Sequence, residues 1–183
     1  MKITALALSA ITVVATAAHS QSTDAWTVGK EAEVHPGVQA KLLAEQNGWR
    51  LWRIENQRGV VCDAVKPTTG QGALVPTSEY TMVGSTPYLR YRAGVGYWLI
   101  GQWLGSDAVE WRLSGARFWT KMDDSTNFEQ FDGKTIEIHV SSWRYPNIME
   151  GHADEQGTVD LTGIKAIAQA ARDCAKGTKL PEY

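Results

Sequence analysis

Residues 158–177 read TVDLTGIKAIAQAARDCAKG and decide the fold prediction for this chain. Their first four residues alternate polar and apolar side chains, as a short β-strand does, and Thr162 is then the predicted N-cap of a helix. Apolar residues follow at helical spacing as far as Cys174, and Gly177 stands where helices commonly end. The stretch therefore predicts a strand followed by an amphipathic helix over about residues 162–176, with Cys174 on its buried face.

The start of the chain has the three parts of a secretory signal peptide. Lys2 supplies the positive charge, residues 3–18 form the apolar run, and small residues follow, which predicts cleavage after Ala18 or, preferably, after Ser20. The apolar run is shorter than the roughly 20 residues of a membrane-spanning helix, and no later stretch is apolar enough to span a bilayer. We therefore expect a signal peptide at 1–20 and a soluble, periplasmic or secreted product, with no transmembrane segment in the mature chain.

The remaining residues, 21–183, have the length and composition of a single β-rich domain. Cleavage after Ser20 leaves 163 of the 183 residues, which is enough to bury a substantial core. Because Lys2 leaves with the signal peptide, 17 lysines and arginines remain against 20 acidic residues, a net charge of −3. Nucleic-acid binding usually shows as a basic excess, so nucleic acid is not an expected partner.

The chain contains two cysteines, Cys62 and Cys174, which predict one disulfide in an exported protein. Redox-active pairs usually have the spacing C-x-x-C, whereas these two cysteines lie far apart in the sequence. Cys62 shares one face of its strand-like run with Val60 and Ala64, because side chains alternate along a strand. We therefore predict a structural disulfide that ties the C-terminal helix to this strand.

Short strand-like runs separated by turn signals fill most of the domain. Their spacing predicts a mainly β fold, either an antiparallel sandwich or a partly open barrel, with the C-terminal helix across one end. The segment 36–45, PGVQAKLLAE, differs: Pro36 at a first helical position and the adjacent Leu42 and Leu43 predict a short helix, with an irregular arm as the alternative. The strand-like runs are 49–55, 59–66, 88–93, 96–103, 109–113, 117–122 and 135–143. Residues 56–58, with Gly59 closing the turn, predict a hairpin of the first two runs.

Eight tryptophans are the most unusual feature of the composition, and four of them precede an arginine. Neighbours on a strand face opposite sides, so rings and guanidinium groups pair only across strands. One interpretation is core aromatics with cation–π contacts on the outer faces. The other is an aromatic and arginine-rich surface for a protein partner, a glycan or an envelope component such as an anionic lipid, since Trp, Tyr and Arg dominate binding hot spots. The residues predicted for this surface are Arg90, Arg92, Trp143, Arg144 and Tyr145.

Glu137, His139 and Ser141 share the polar face of the predicted strand 135–143. These residue types make a nucleophile with its base in hydrolases, so a small secreted hydrolase that uses His139 with Ser141 or Glu137 is the alternative function. Side chains two residues apart on a strand are roughly 7 Å apart at their base, which is too far for a direct relay. An exported, non-enzymatic binding module is therefore the preferred prediction.

Metal and cofactor signatures are weak in this chain. Residues 123–129 alternate like the opening of a calcium loop, but Phe128 stands where that loop needs glycine. The histidines are too scattered for zinc-ligand spacing. The glycines at 94–96 precede a strand and lack the third glycine of a dinucleotide-binding loop. We therefore expect neither a metal nor a cofactor.

The C-terminal stretch resembles that of small exported proteins of Gram-negative bacteria. The features that carry the resemblance are a strand end with Asp160, Leu161 and Gly163, an alanine-rich helix that closes at Cys174, a signal peptide, and a strand with Cys62. In this layout the chain is similar to proteins of the invasion-associated locus B type. The resemblance implies an exported domain with a role in host-cell entry. The chain lacks that family's further cysteines, and no functional residue is carried over.

Overall fold

The computed structural model describes residues 26–78, 81–84, 87–100, 108–123, 125–141 and 155–178. The predicted signal peptide lies outside these residues. Within them the chain is mainly β, with two antiparallel sheets, a two-stranded ribbon and a C-terminal α-helix that a disulfide joins to a strand. The predicted fold class is therefore confirmed.

The described part of the chain contains twelve strands, one α-helix and a short 3-10 helix. The α-helix, α1, spans Ile164–Ala175, and the 3-10 helix spans Phe128–Phe131. The strands are β1 (Glu31–His35), β2 (Val38–Gln46), β3 (Trp49–Asn56), β4 (Gly59–Pro67), β5 (Val75–Pro76), β6 (Met82–Val83), β7 (Tyr88–Arg92), β8 (Gly96–Ile100), β9 (Ala108–Leu113), β10 (Thr120–Lys121), β11 (Thr135–Ser141) and β12 (Glu155–Asp160).

Six strands form the main sheet, in the order β1-β2-β3-β4-β7-β8 with every neighbouring pair antiparallel. The predicted hairpin of β3 and β4 turns where Asn56 pairs with Gly59, and β7 and β8 turn where Arg92 pairs with Gly96. The second sheet has the order β10-β9-β11-β12 and is also antiparallel. The predicted hairpin of β3 and β4 is therefore confirmed.

The main sheet buries both of its faces, because its strands direct alternate side chains to opposite sides. On β3, Leu51 packs into a core that the main sheet shares with the second sheet and α1. Its neighbour Trp52 packs into another core on the opposite face. We call these the inner core and the outer core. The inner core includes Ile136 and Ile138 of β11, and Ile164, Ile167, Ala168 and Ala171 of α1.

The predicted disulfide joins Cys62 of β4 to Cys174 of α1, with their Cα atoms 6.1 Å apart. Cys62 is fully buried in the inner core, and Cys174 packs at its edge. The covalent bond therefore links the middle of the main sheet to the helix that covers it, as the sequence predicts.

The start of α1 differs from the prediction by one residue. The N-cap is Gly163 rather than Thr162, and its φ of 85° is a left-handed conformation that glycine adopts without strain. The Gly163 N–H donates to Oδ1 of Asp132 at 2.8 Å. Thr162 donates instead to Oδ1 of Asp160, from its backbone N–H at 2.9 Å and from its hydroxyl at 2.7 Å. The threonine thus closes a turn just before the helix.

Besides the disulfide, a cluster of hydrogen bonds and an ion pair holds α1 in place. Arg172 donates to both carboxylate oxygens of Glu129 in the 3-10 helix, at 2.8 and 3.1 Å. Arg172 also donates to the Tyr91 hydroxyl at 3.3 Å, and the Tyr97 hydroxyl donates to Glu129 at 3.3 Å. Burial, together with the Glu129 charge, raises the pKa of Tyr97 well above its usual value. The cluster joins α1, the 3-10 helix and the β7–β8 hairpin.

The helix predicted at 36–45 is wrong, because this segment forms β2. Val38, Ala40 and Leu42 are buried at every second position, so a period of two decides the structure. The pairing with β3 shifts register between Leu42 and Ala44. This bulge lets Leu42 enter the outer core while Leu43 packs against the inner core. A strand therefore buries both leucines, one on each side of the sheet.

Gly157 lies where β12 meets the end of β4. A Cβ atom at this position would stand 2.3 Å from Cγ2 and 2.7 Å from Cβ of Thr68, which is itself buried. We expect Gly157→Ala to lower the free energy of unfolding by about 1–3 kcal/mol, the usual range for overpacking. Urea unfolding measures this change. In a double-mutant cycle with Thr68→Gly, the two losses should be less than additive. Simple additivity would contradict the proposed clash.

Candidate functional site

Arg90 and Arg92, predicted for a binding surface, lie inside the protein, with 4% and 3% of their surface exposed. Both pair with Asp63 on the neighbouring strand β4, which is 0% exposed. Arg92 donates from Nε to Oδ1 at 2.7 Å and from Nη2 to Oδ2 at 2.8 Å, and Arg90 donates from Nε to Oδ2 at 3.0 Å. The expected exposure of these two arginines is therefore corrected.

The reason for this correction is the double coverage of the main sheet. Along β7, Leu89 and Tyr91 enter the inner core, so Arg90 and Arg92 must face the outer core. Sequence alternation identifies two faces, but it does not reveal that both are covered. The other three predicted surface residues, Trp143, Arg144 and Tyr145, lie outside the described residues, and their role stays a prediction.

Most of the described tryptophans belong to the two cores. Trp49 and Trp111 are buried in the inner core, and Trp26 and Trp52 in the outer core. Trp119 is different, because 36% of its surface is exposed. The core interpretation of the tryptophans thus accounts for four of them, whereas Trp119 is available for contact.

Trp119 belongs to a run of five exposed residues, 117–121, which we call the aromatic segment. The segment leaves the turn after β9 and enters β10, the short edge strand of the second sheet. Phe118 exposes 75% of its surface. The predicted strand at 117–122 is therefore reduced to Thr120–Lys121, and the aromatic residues before it stand in the solvent.

Side chains on β9 and β11 border the Trp119 ring. The Arg112 guanidinium carbon lies 4.4 Å from the centre of this ring. Arg112 Nε donates to Oε2 of Glu137 on β11 at 2.7 Å, and Ser114 Oγ donates to the other carboxylate oxygen at 3.1 Å. Hydrogen bonding from Arg112 holds the pKa of Glu137 below its usual range. The carboxylate therefore stays ionised and fixes the arginine on which the ring rests.

His139 also borders Trp119. Its ring centre lies 5.8 Å from that of Trp119, and its Nδ1 lies 3.9 Å from Oε2 of Glu110. Glu137 forms an ion pair with Arg112, and the side chain of Ser141 is not among those that the structure describes. The described geometry thus does not support a hydrogen-bonded relay between His139 and Glu137. The hydrolase hypothesis stays a prediction.

The calcium-like segment makes local turns. Oδ1 of Asp123 accepts from the Ser125 N–H at 2.9 Å, the Ser125 hydroxyl at 2.7 Å and the Thr126 hydroxyl at 3.1 Å. Asn127 caps the 3-10 helix that follows. In the part of the chain that the structure describes, no three histidine, cysteine or acidic side chains are grouped as a metal site requires.

A cleft of about 180 Å³ lies at the start of β3, beside Glu45 and Arg50. Gln71, Ala73 and Leu74, from the loop after β4, also line this cleft. Ligand pockets usually measure about 300–1,000 Å³, so this cleft is small for a cofactor or a drug-sized ligand. The aromatic segment is therefore the stronger candidate site.

Comparison with known proteins gives no further guidance on the site, since no protein-family model, curated protein or solved structure matches this chain significantly. Among the described residues, no helix has the length and the apolar character needed to cross a bilayer. The functional argument thus depends on the aromatic segment and its neighbours.

Proposed function

We propose that this protein is an exported, soluble, non-enzymatic binding module, periplasmic or secreted, that recognises a protein partner, a glycan or another envelope component. Its proposed contact surface is the aromatic segment with the neighbouring Arg112 and His139. The exposed Trp119 ring, held by the Arg112 guanidinium, is the observation that carries this proposal. The signal-like start of the sequence and the disulfide support export.

The physical argument is that two adjacent aromatic side chains remain in water although the protein has two cores to bury them. Isolated apolar residues on a surface are ordinary, but Phe118 and Trp119 are large and contiguous. Arg112 and Glu137 restrict the orientation of the Trp119 ring before any partner arrives. A contact residue that is already ordered loses less conformational entropy on binding. The arrangement therefore favours recognition at this surface.

Replacing both rings should abolish most of this binding. We expect Phe118→Ser with Trp119→Ser to weaken binding at least about tenfold, since aromatic hot spots contribute about 2 kcal/mol or more each. The measurement incubates immobilised protein separately with an envelope glycan array, with envelope proteins, and with lipid vesicles. Wild type should bind one of the three classes.

The matched control is Val95→Ser, which changes another exposed apolar side chain, 47% exposed, in the turn between β7 and β8. This variant should bind like wild type. Circular dichroism and urea unfolding check that both variants fold. The proposal fails if the double variant retains full binding, or if wild type binds none of the three classes.

A further inference from the structure

We propose that the aromatic segment docks on the surface of an anionic lipid bilayer, with Phe118 and Trp119 inserted at the level of the headgroups. This inference rests on the proposed function, because it assigns a partner class to the same surface. The site needs no groove, since residues 117–121 are all exposed and the last two of them form the edge strand β10. The docking is peripheral and depends on one short segment.

The chemistry of the segment matches the interfacial zone of a membrane. Tryptophan and other rings with an apolar body concentrate at headgroup level, and arginine or lysine beside them contact lipid phosphates. Here Arg117 and Lys121 flank the two rings, and the segment RFWTK contains no acidic residue. The sequence of cation, ring, ring and cation therefore suits a surface that is apolar inside and negative outside.

Arg117 and Lys121 differ from Arg112 in having no acidic partner within the described residues. Glu137 neutralises Arg112, whereas within the described ranges neither Arg117 nor Lys121 forms an ion pair. Glu110 lies opposite Lys121 in the strand register, but its carboxylate is near His139. Arg117 keeps its guanidinium 5.2 Å from the centre of the Phe118 ring. Positive charge is therefore placed beside Phe118, a largely exposed apolar side chain, although the chain as a whole is net negative.

The arrangement of the rings favours a bilayer over a glycan. Phe118 lies in a bend and Trp119 directly before β10, and the Trp119 ring contacts His139 rather than Phe118. One face of each ring also lies against a guanidinium group, of Arg117 and of Arg112 respectively. A guanidinium group on one face leaves each ring less open area on which a sugar could stack. A fluid interface accepts rings in any orientation, and therefore fits this segment better.

The test uses co-sedimentation with vesicles of phosphatidylcholine alone and of phosphatidylcholine mixed equally with phosphatidylglycerol. We expect wild type to bind the mixed vesicles several-fold more tightly than the neutral ones. Phe118→Ser with Trp119→Ser should reduce the partition coefficient at least tenfold on both. Arg117→Gln should reduce it about fivefold on the mixed vesicles only, as expected for one basic residue near an anionic surface.

Two matched controls separate the segment from general effects. Lys165→Gln removes the same charge from an exposed position on α1, and Val95→Ser removes an exposed apolar side chain elsewhere. Both should bind the mixed vesicles within twofold of wild type. Equal losses for Lys165→Gln and Arg117→Gln would overturn the inference, because attraction would then depend on overall charge alone.

Failure of wild type to sediment with the mixed vesicles also overturns the inference. The glycan array and the envelope proteins then decide about the proposed function. If the glycan array or an envelope protein binds wild type but not the double variant, the proposed binding module stands and only the lipid assignment is wrong. If wild type binds neither, both proposals fall.

Discussion

Removal of the Cys62–Cys174 disulfide is expected to lower the free energy of unfolding by about 4 to 5 kcal/mol. The bond joins residues 112 positions apart, so it strongly restricts the unfolded chain, and the chain-entropy model gives about 4.7 kcal/mol for a loop of 100 residues. Single domains are commonly stable by about 5–15 kcal/mol. The variant Cys62→Ala with Cys174→Ala should therefore lose a large part of its stability, as measured by urea unfolding.

The unfolded state supplies an independent readout of this effect. Without the cross-link the unfolded chain expands and exposes more surface, so the dependence of stability on urea should become steeper. Reduced wild type should unfold at about the same urea concentration as the double variant, because both lack the bond. A loss below about 1 kcal/mol would contradict the assignment of the disulfide as the main staple of the fold.

Asp63→Asn is expected to destabilise the protein by about 3–5 kcal/mol, the range for removing one partner of a buried ion pair. Asp63 is fully buried, and its carboxylate accepts hydrogen bonds from both Arg90 and Arg92. Asparagine keeps the shape of the side chain but removes the negative charge that both guanidinium groups share. Urea unfolding of the variant and of wild type measures the difference.

Asp173→Asn is the matched control, because this carboxylate is half exposed and pairs with the exposed Lys176 at 2.5 Å. Exposed pairs contribute about 1 kcal/mol or less, so this variant should remain close to wild type. A third variant, Asp63→Leu with Arg90→Met and Arg92→Met, removes all three charges together and should be much less destabilised than Asp63→Asn. Equal losses for Asp63→Asn and Asp173→Asn would show that burial does not increase the contribution of the Asp63 cluster to stability.

The helix and its disulfide were predictable because each depends on local or unique information. The apolar spacing before Cys174 places one side of α1 against the sheet, and two cysteines allow a single pairing within the chain. The hairpin of β3 and β4 follows from alternation and a turn signal of the same local kind. The helix begins one residue later than predicted, because Thr162 has a capping side chain but the cap itself has the left-handed backbone that glycine favours.

The β2 strand and the buried arginines depended on information that one segment does not contain. Leu42 and Leu43 are adjacent apolar residues, and only a bulge against β3 explains how a strand buries both. Arg90 and Arg92 alternate with apolar residues as an exposed face would. Their burial follows from Asp63 on another strand and from coverage of the outer face of the main sheet. Contacts with residues far away in the sequence therefore determine both the β2 strand and the burial of the two arginines.

The aromatic segment was also missed, although the sequence carried a signal for it. Phe118 and Trp119 are adjacent, so a half-buried strand cannot direct both toward its core. Trp119 does not precede an arginine, so the pattern of tryptophan–arginine neighbours does not include it. The arginine that contacts its ring is Arg112, on the preceding strand. Contact across strands determined this pair, as expected for sheets.

The position of α1 after both sheets has a consequence for how the nascent chain matures. The main sheet ends at Ile100, whereas β9, β11, β12 and α1, which cover its inner core, are all synthesised later. During that interval the Cys62 thiol has no partner within the emerged chain, and the apolar side of the sheet stays open. A chaperone that shields this side, or an oxidant that acts only after Cys174 emerges, would protect the newborn protein from joining a second copy through Cys62.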